Sequence, residues 1–274
     1  MVDFPRPAAQ DDSLQQLWGE PLVVPPASTH THTLMLLHGF SSNPNTVLER
    51  WLPGLRARLS DGFSYDGLEG MKILLPPAPV LPISCYGEQR PRYPAWHDFL
   101  SVGQAAAGTE EAMDVSQLGE TRQRLHEMLD TEIAALGDPS RVLVAGHSQG
   151  GCVACDLACT YHLTLGGCFI SRGHLYEATE HELLPERADT PILQCHGTAD
   201  GSIAAALALQ GVSTLLKRGF ANIELRLLPG TGHAESPCEA AELDSFASAL
   251  RRWGAIPTDG PAASHFFQRD VKTS

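Results

Sequence analysis

Short apolar runs that stop at glycine or proline recur along the chain and predict buried β-strands. The four clearest runs are residues 34–37, 72–75, 141–146 and 191–197. Residues 223–228 begin with alternating apolar and polar positions, which predicts a fifth strand near a sheet edge. Residues 165–170 form one more apolar run. Runs that are apolar at nearly every position are typical of parallel sheets that are covered on both faces.

Helical spacing lies between these runs. Leucine and isoleucine recur at helical intervals between residues 118 and 136, and Asp114 with Gln117 forms a capping pair at the start. Gly137 marks the end of this helix. Residues 202–218 and 237–252 predict two more helices. The alternation of strands and helices predicts an α/β fold, with a mostly parallel central sheet and helices on both faces.

The chain has 274 residues, enough for one domain with a sizeable core. Residues 1–28 are rich in Pro, Ala, Asp and Gln and predict a loose N-terminal extension. Residues 29–256 then form the predicted domain. Residues 257–274 return to loop composition and predict a C-terminal tail.

Composition narrows the classes of partner. The chain carries 19 Lys and Arg against 32 Asp and Glu, a net charge of −13, which disfavours nucleic acid because phosphate binding needs clustered cations. No stretch approaches the ~20 apolar residues of a membrane helix. The N-terminus lacks the basic start and apolar run of a signal peptide. We therefore expect a cytoplasmic protein without stable membrane insertion, either a monomer or a weak dimer.

The seven cysteines form neither a disulfide framework nor a CxxC…CxxC zinc pattern. Cys152, Cys155 and Cys159 share one helical face, which favours small apolar residues that pack a buried helix. The alternative is a soft-metal site, but no paired histidine accompanies these thiols. We expect a reducing compartment, and neither a metal nor an organic cofactor.

The segment Gly146-His147-Ser148-Gln149-Gly150 has the form G-x-S-x-G. It follows an apolar strand and precedes small residues that can start a helix, which is the context that a nucleophile elbow requires. In such an elbow Ser148 lies on a strained turn, and its hydroxyl projects from the sheet. The new helix directs its positive N-terminal end at the site, where negative charge would develop. The alternative is a tight strand–helix turn with an incidental serine.

A serine hydroxyl is a weak nucleophile without an adjacent base. In this type of fold the chain order is serine, then acid, then histidine. Asp200 follows the strand 191–197 in a short loop, and His233 lies in a Gly-rich loop after the strand 223–228. His233 is the candidate base, and Asp200 is the candidate acid that orients it. Asp189 is the rival acid, but it precedes its strand and belongs at the other end of the sheet.

An oxyanion hole needs backbone N–H donors beside the nucleophile. We expect one from Gln149, directly after Ser148, and one from Phe40 in the loop after the strand 34–37. An ordinary strand-ending turn at residues 38–39 is the alternative. His38 and His196 each lie directly before a glycine at a strand end and are interpreted as structural histidines.

These motifs resemble the phospholipase/carboxylesterase family of α/β-hydrolases, which includes acyl-protein thioesterases and lysophospholipases. The resemblance covers most of the predicted domain. The matching segments are residues 37–40 (an HG loop after the first strand), 77–80 with 94–98 (an APV…P-x-W-x-D stretch), 146–151 (GFSQGG), 193–200 (LQCHG-x-x-D) and 230–233 (the histidine loop). The last two strengthen Asp200 and His233 as partners of Ser148.

The resemblance implies hydrolysis of carboxylic esters and thioesters without a cofactor, including removal of palmitoyl groups from protein cysteines. The expected partner is thus a small-molecule or protein-linked acyl substrate. His147 replaces the usual Phe, and Arg172 and His174 fall near the expected acyl pocket, which puts long acyl chains in doubt. Trp96 is predicted to wall that pocket, or else to be a core aromatic. The remaining alternatives are a short-chain esterase or peptidase on the same fold, or a binder without turnover.

Overall fold

A seven-stranded sheet forms the centre of the molecule. The computed structural model describes residues 18–60, 67–88, 90–184, 188–233 and 240–256. The strands are β1 (Leu22–Val24), β2 (His32–Leu37), β3 (Met71–Leu75), β6 (Val142–His147), β7 (Gly167–Ser171), β8 (Ile192–Gly197) and β9 (Ile223–Leu228). Their order across the sheet is β1-β3-β2-β6-β7-β8-β9, and β1 is antiparallel to β3 whereas all other neighbours are parallel.

Helices cover both faces of this sheet. They are α1 (Pro44–Leu59), α2 (Val115–Leu136), α3 (Gln149–Thr160), α4 (Glu177–Glu180), α5 (Ala205–Lys217) and α6 (Ala240–Arg252). Successive residues of β2 point to opposite faces, so Met35 packs against the α2 and α3 side, whereas Leu36 packs against α1 and α6. The expected α/β architecture, with apolar side chains on both faces of the sheet, is confirmed.

Local signals at the helix ends match the structure. Asp114 caps α2 and accepts a hydrogen bond from the Gln117 N–H at 3.1 Å, and Gly137 ends the helix in the left-handed region at φ 71°. Helix α1 was not predicted. It starts after Asn43, whose side chain accepts a hydrogen bond from the Thr46 N–H, and it contains Pro53 in its interior. Five buried apolar residues hold it against the sheet despite that proline.

The predicted start of the domain at residue 29 is too late. Strand β1 lies inside the segment that was expected to be a loose extension, and it pairs with β3 from Leu22 to Val24. A two-stranded antiparallel hairpin, β4 (Val80–Pro82) with β5 (Arg92–Pro94), was also missed. The predicted tail lies outside the described residues. Among the described residues, no helix has the length and apolar character needed to span a membrane.

Candidate active site

The turn after β6 presents Ser148 at the carboxyl end of the sheet. Ser148 has φ 54° and ψ −124°, a strained conformation for a residue with a Cβ, and its N–H donates to the Ser171 carbonyl at 2.9 Å. A Cβ on Gly146 would collide with the Gly150 carbonyl, and one on Gly150 would collide with the His38 carbonyl. The G-x-S-x-G spacing therefore reflects the close packing that such a turn requires.

Three side chains from separate loops meet at this turn. His233 Nε2 lies 2.9 Å from Ser148 Oγ, and His233 Nδ1 lies 2.8 Å from Asp200 Oδ2. The second oxygen, Asp200 Oδ1, accepts hydrogen bonds from the backbone N–H groups of Ser202 and Ile203, both at 2.9 Å. The structure thus links the three predicted residues, which are far apart in the sequence, into one hydrogen-bonded chain.

The environment of Asp200 favours its ionised form. Burial raises the pKa of this carboxyl, but the hydrogen bonds from His233 and from the Ile203 and Ser202 N–H groups outweigh burial and lower it. The Asp200 side chain is buried, whereas His233 is partly exposed to the pocket. The rival acid Asp189 is exposed and precedes β8, at the opposite end of the sheet.

The two remaining strand-end histidines hold the surrounding loops. His38 Nε2 accepts a hydrogen bond from the Ala78 N–H at 3.0 Å, and burial lowers its pKa to about 4. His196 Nε2 donates to the Ile203 carbonyl at 2.8 Å, and burial lowers its pKa as well. Both contacts fit the structural role that the sequence indicated, and the His196 contact fixes the loop that carries Asp200.

A pocket of about 640 Å³ opens beside Ser148. Phe40 and Gln149, the two expected oxyanion donors, are among the residues that line it. The Gln149 side chain points away from the nucleophile, accepting from the Trp96 N–H and donating to the His97 carbonyl, both at 3.1 Å. The lining also includes apolar side chains, among them Tyr86, Phe99 and Met113, and polar side chains, among them Glu110, Glu111 and His174.

Comparisons with known proteins identify the family. A model of the phospholipase/carboxylesterase family matches residues 19–251. The chain belongs to this family. Members of the family share the α/β-hydrolase fold, so the predicted fold and the predicted class of enzyme, an ester hydrolase, are confirmed.

Three relatives illustrate the similarity. A probable carboxylesterase of Oryza sativa subsp. japonica is 33% identical over 180 residues, which are 65% of this chain and 74% of that protein. Acyl-protein thioesterase 1 of Neurospora crassa is 25% identical over 233 residues, 82% of this chain and 89% of that protein. The crystal structure of Arabidopsis thaliana SOBER1 has a TM-score of 0.68 at 25% identity, and the match covers 81% of this chain and 98% of that chain.

Two of the three side chains that were expected to bind substrate do not line the pocket. Trp96 is fully buried and donates from Nε1 to the His38 carbonyl at 2.7 Å, so it is the core aromatic of the two interpretations. Arg172 is also fully buried and forms an ion pair with Glu242 at 3.0 Å on the other side of β7. Both predictions of a pocket contact were wrong, because each side chain turns into the core. His174 does line the pocket.

Sequence reasoning missed other side chains around the nucleophile. His147 lines the pocket, its ring lies 5.5 Å from that of His233, and its Nδ1 is hydrogen-bonded to Ser171 Oγ at 2.8 Å. Glu110 and Cys152 also line the pocket. The spacing of Cys152 from Ser148, one helical turn, was a usable signal, whereas nothing near Glu110 in the sequence indicates a site.

The cysteine prediction is partly confirmed. Cys155 and Cys159 are buried in the core beneath the sheet, as the apolar interpretation requires. Cys152 is buried as well but also borders the pocket. Among the described residues, no group of histidine, cysteine and acidic side chains has the arrangement of a metal site.

Proposed function

We propose that this chain cleaves carboxylic esters or thioesters through an acyl-enzyme on Ser148. The observation that carries the proposal is the hydrogen-bonded chain from Ser148 Oγ through His233 to Asp200, at distances of 2.9 and 2.8 Å. These distances are those of a nucleophile and its general base. Ser148 and His233 line a pocket that can hold an acyl group.

The roles of the three residues follow from their chemistry. His233 Nε2 takes the proton of Ser148 as Oγ attacks the carbonyl carbon, and it returns the proton to the leaving alcohol or thiol. Asp200 keeps the other ring nitrogen, Nδ1, as a donor and stabilises the imidazolium. Water then attacks the acyl-enzyme, with His233 Nε2 taking a proton from the water and returning it to Ser148 Oγ as the acid is released. The two N–H groups that hold Asp200 Oδ1 keep the carboxylate in line with the ring.

The oxyanion hole belongs to the backbone at Phe40 and Gln149. Gln149 is the first residue of α3, so its N–H has no acceptor within the helix, as an oxyanion donor requires. Phe40 lies in the loop after β2 and lines the same pocket. Losing one such donor in other enzymes raises the barrier by about 2.7–4 kcal/mol. Side-chain substitution at Phe40 leaves the N–H in place and is a poor test of this role.

The lining of the pocket bears on the acyl chain. Relatives carry the names acyl-protein thioesterase 1 and, in Mus musculus, lysophospholipase-like protein 1, which favours acyl-linked substrates for this chain too. Tyr86, Phe99 and Met113 offer apolar contact area, but Glu110 and His174 place an ion pair at 3.2 Å in the same pocket. A long alkyl chain that covered this pair would have to desolvate it. A short-chain esterase is therefore the second candidate.

Hydrolysis of p-nitrophenyl acetate tests the proposal. Ser148→Ala is expected to lower kcat by about 10⁴-fold or more, because the nucleophile is lost while the fold is kept. Ser140→Ala, an exposed serine at the far end of the sheet, is the matched control and should leave the rate unchanged. Equal rates for wild type and Ser148→Ala would remove Ser148 from the mechanism. A wild type without turnover on any ester would favour the binder.

A series of esters and thioesters from acetyl to palmitoyl then separates the two candidates. The polar groups in the pocket lead us to expect kcat/KM to peak at short or medium chains. A peak at palmitoyl thioesters would instead support the acyl-protein thioesterase, and cleavage of peptides in preference to esters would support the peptidase.

We further propose a cytoplasmic location, which the free thiols among the described residues favour. We expect a monomer or weak dimer in solution.

A further inference from the structure

A second set of reactive groups lies in the wall of the same pocket. His174 Nδ1 is 3.4 Å from Cys152 Sγ, and His174 Nε2 is 3.2 Å from Glu110 Oε2. Cys152 is on α3, His174 follows β7, and Glu110 belongs to the loop before α2. All three residues border the pocket. A thiol, an imidazole and a carboxylate are thus lined up in the order of a cysteine nucleophile, its base and its orienting acid.

The backbone places His174 over the sulfur. A Cβ on Gly173 would lie 2.7 Å from the Cys152 nitrogen, so only glycine lets this loop approach α3 so closely. The approach also directs the His174 backbone N–H at Cys152 Sγ, at 3.2 Å. Glu110 is fixed in turn, because its Oε2 accepts from the Glu177 N–H at 3.0 Å.

The hydrogen bonds indicate which atom holds the proton. Glu110 accepts at His174 Nε2, so that nitrogen carries a hydrogen. Cys152 Sγ already accepts the His174 backbone N–H at 3.2 Å. A sulfur that accepts this N–H and faces the ring is placed to receive a second hydrogen bond, from His174 Nδ1.

We propose that Cys152 and His174, oriented by Glu110, form a thiolate–imidazolium pair, and that Cys152 is a covalent modification site for small soft electrophiles such as α,β-unsaturated carbonyl compounds that enter the ester-hydrolase pocket. The site is separate from the Ser148 chemistry and does not depend on turnover. Cys152 is only 1% exposed, so a reagent reaches it through the pocket rather than from bulk solvent.

The charged groups around His174 agree with this assignment. Burial lowers the pKa of His174, but Cys152 and Glu110 outweigh burial and raise it to about 10. Tyr176 is in contact with the same sulfur, and its neutral hydroxyl is bonded to His97 at 2.8 Å.

Two further titratable groups lie around this pair. Asp156, on α3 beyond Tyr176, is neutralised by a two-pronged bond to Arg122. His196, on β8, is kept neutral by burial. Neither group adds a net charge that would compete with the pair.

The reaction with a maleimide balances within these groups. The Sγ electron pair of Cys152 forms a bond to one alkene carbon, and the π electrons move to the other carbon. That carbon takes the proton from His174 Nδ1. The imidazole is left neutral and stays bonded to Glu110 through Nε2. No oxidant or metal takes part.

Cys85 is an internal control in the same pocket. It is more exposed than Cys152, yet burial and the carboxylates of Asp98 and Glu111 raise the pKa of its thiol. Exposure alone would make Cys85 the faster thiol. The ion-pair proposal reverses that order at low pH, because an ordinary thiol with a pKa near 8.5 is only about 0.3% thiolate at pH 6.

Labelling by N-ethylmaleimide between pH 6 and 8, read by peptide mapping of all seven cysteines, tests the proposal. At pH 6 we expect Cys152 to react about tenfold faster than Cys85, because the proposed ion pair with His174 keeps its sulfur as a thiolate. Its rate should change less than about twofold per pH unit, whereas that of an ordinary thiol rises about tenfold. A Cys152 rate that rises in parallel with Cys85, or no labelling at pH 6, would overturn the proposal.

Variants sharpen the result. His174→Gln and Glu110→Gln should slow Cys152 labelling at pH 6, whereas Glu111→Gln, the neighbouring carboxylate, should not. Ser148→Ala should label like wild type, which separates this site from the proposed hydrolysis. If Ser148 catalyses ester hydrolysis, N-ethylmaleimide should abolish this activity in wild type, because the Cys152 adduct occupies the same pocket. The Cys152→Ala variant should keep its initial activity in the presence of the reagent. Inactivation of both to the same extent would show that another thiol is responsible.

Discussion

At the scale of single residues, Asp200 serves two neighbours with its two oxygens. One oxygen is hydrogen-bonded to the His233 imidazole, and the other accepts from backbone N–H groups of the following turn. This division fixes the ring of His233 in the tautomer that can accept a proton from Ser148. The residue types were readable from the sequence, since a Thr-Ala-Asp-Gly loop after a buried strand fits the acid of the fold.

Asp200→Asn tests this division directly. The amide can donate as well as accept, so it favours the wrong imidazole tautomer while the shape of the site is kept. We expect kcat for p-nitrophenyl acetate to fall by about 10⁴-fold, with Tm little changed. Asp189→Asn, at the other end of the sheet, is the control and should keep the wild-type rate. A fall of less than tenfold for Asp200→Asn would argue against this residue as the orienting acid.

At the level of secondary structure, two helical glycines differ in whether their surroundings leave room for a side chain. Gly150, in the first turn of α3, has no room for a Cβ because the Leu37 and His38 carbonyls lie against it. Gly119, inside α2, is exposed and has nothing within 4 Å of its Cβ position. The sequence pattern identified both helices, but only the packing shows which glycine is required.

The pair Gly150→Ala and Gly119→Ala should therefore shift stability in opposite directions. Gly150→Ala is expected to destabilise the fold by at least about 2 kcal/mol, because the backbone of β2 has to move. Gly119→Ala is expected to stabilise it by about 0.5–1 kcal/mol, the difference in helix propensity. Urea unfolding of both variants measures this. Equal effects of the two substitutions would contradict the packing at the elbow.

Strands and helices were predicted correctly where the hydrophobic pattern of their own residues was clear. They were missed where the structure depends on packing against other parts of the fold. The strands 142–147 and 192–197 are apolar runs with clear stops, and the strand 223–228 begins with alternating apolar and polar positions. All three form as expected. Helix α1 was missed because Pro53 lies in its interior and breaks the pattern that the sequence would need to show. Strand β1 was missed because three residues carry too short a signal and gain their structure from pairing with β3.

At the scale of the whole molecule, a buried ion pair joins the sheet to its last helix. Arg172 follows β7 and Glu242 belongs to α6, and both side chains are fully buried. Glu242 also accepts a hydrogen bond from Ser171 Oγ at 2.5 Å, which in turn contacts His147 beside the active site. Removing one partner of such a pair leaves an uncompensated charge in the core.

Glu242→Gln should thus destabilise the protein by about 3–5 kcal/mol, the range typical of a broken buried pair. Asp244→Asn, on the same helix, is the matched control. Asp244 pairs with Arg58 at 2.6 Å but is 63% exposed, so its loss should change the free energy of unfolding by less than about 1 kcal/mol. Denaturant unfolding measures both. Similar small effects would show that Arg172 finds other compensation.

The amino-acid sequence was sufficient to predict the fold class, the nucleophile elbow and the chain order of Ser148, Asp200 and His233. These depend on local patterns: apolar runs that must be buried, and a turn whose geometry admits few residue types. The directions of individual side chains depend on packing between distant segments of the chain. Trp96 and Arg172 are buried in the core, whereas Cys152 and Glu110 both contact His174 although the three residues lie far apart in the sequence. Such contacts arise from long-range packing, which has no signature in neighbouring residues.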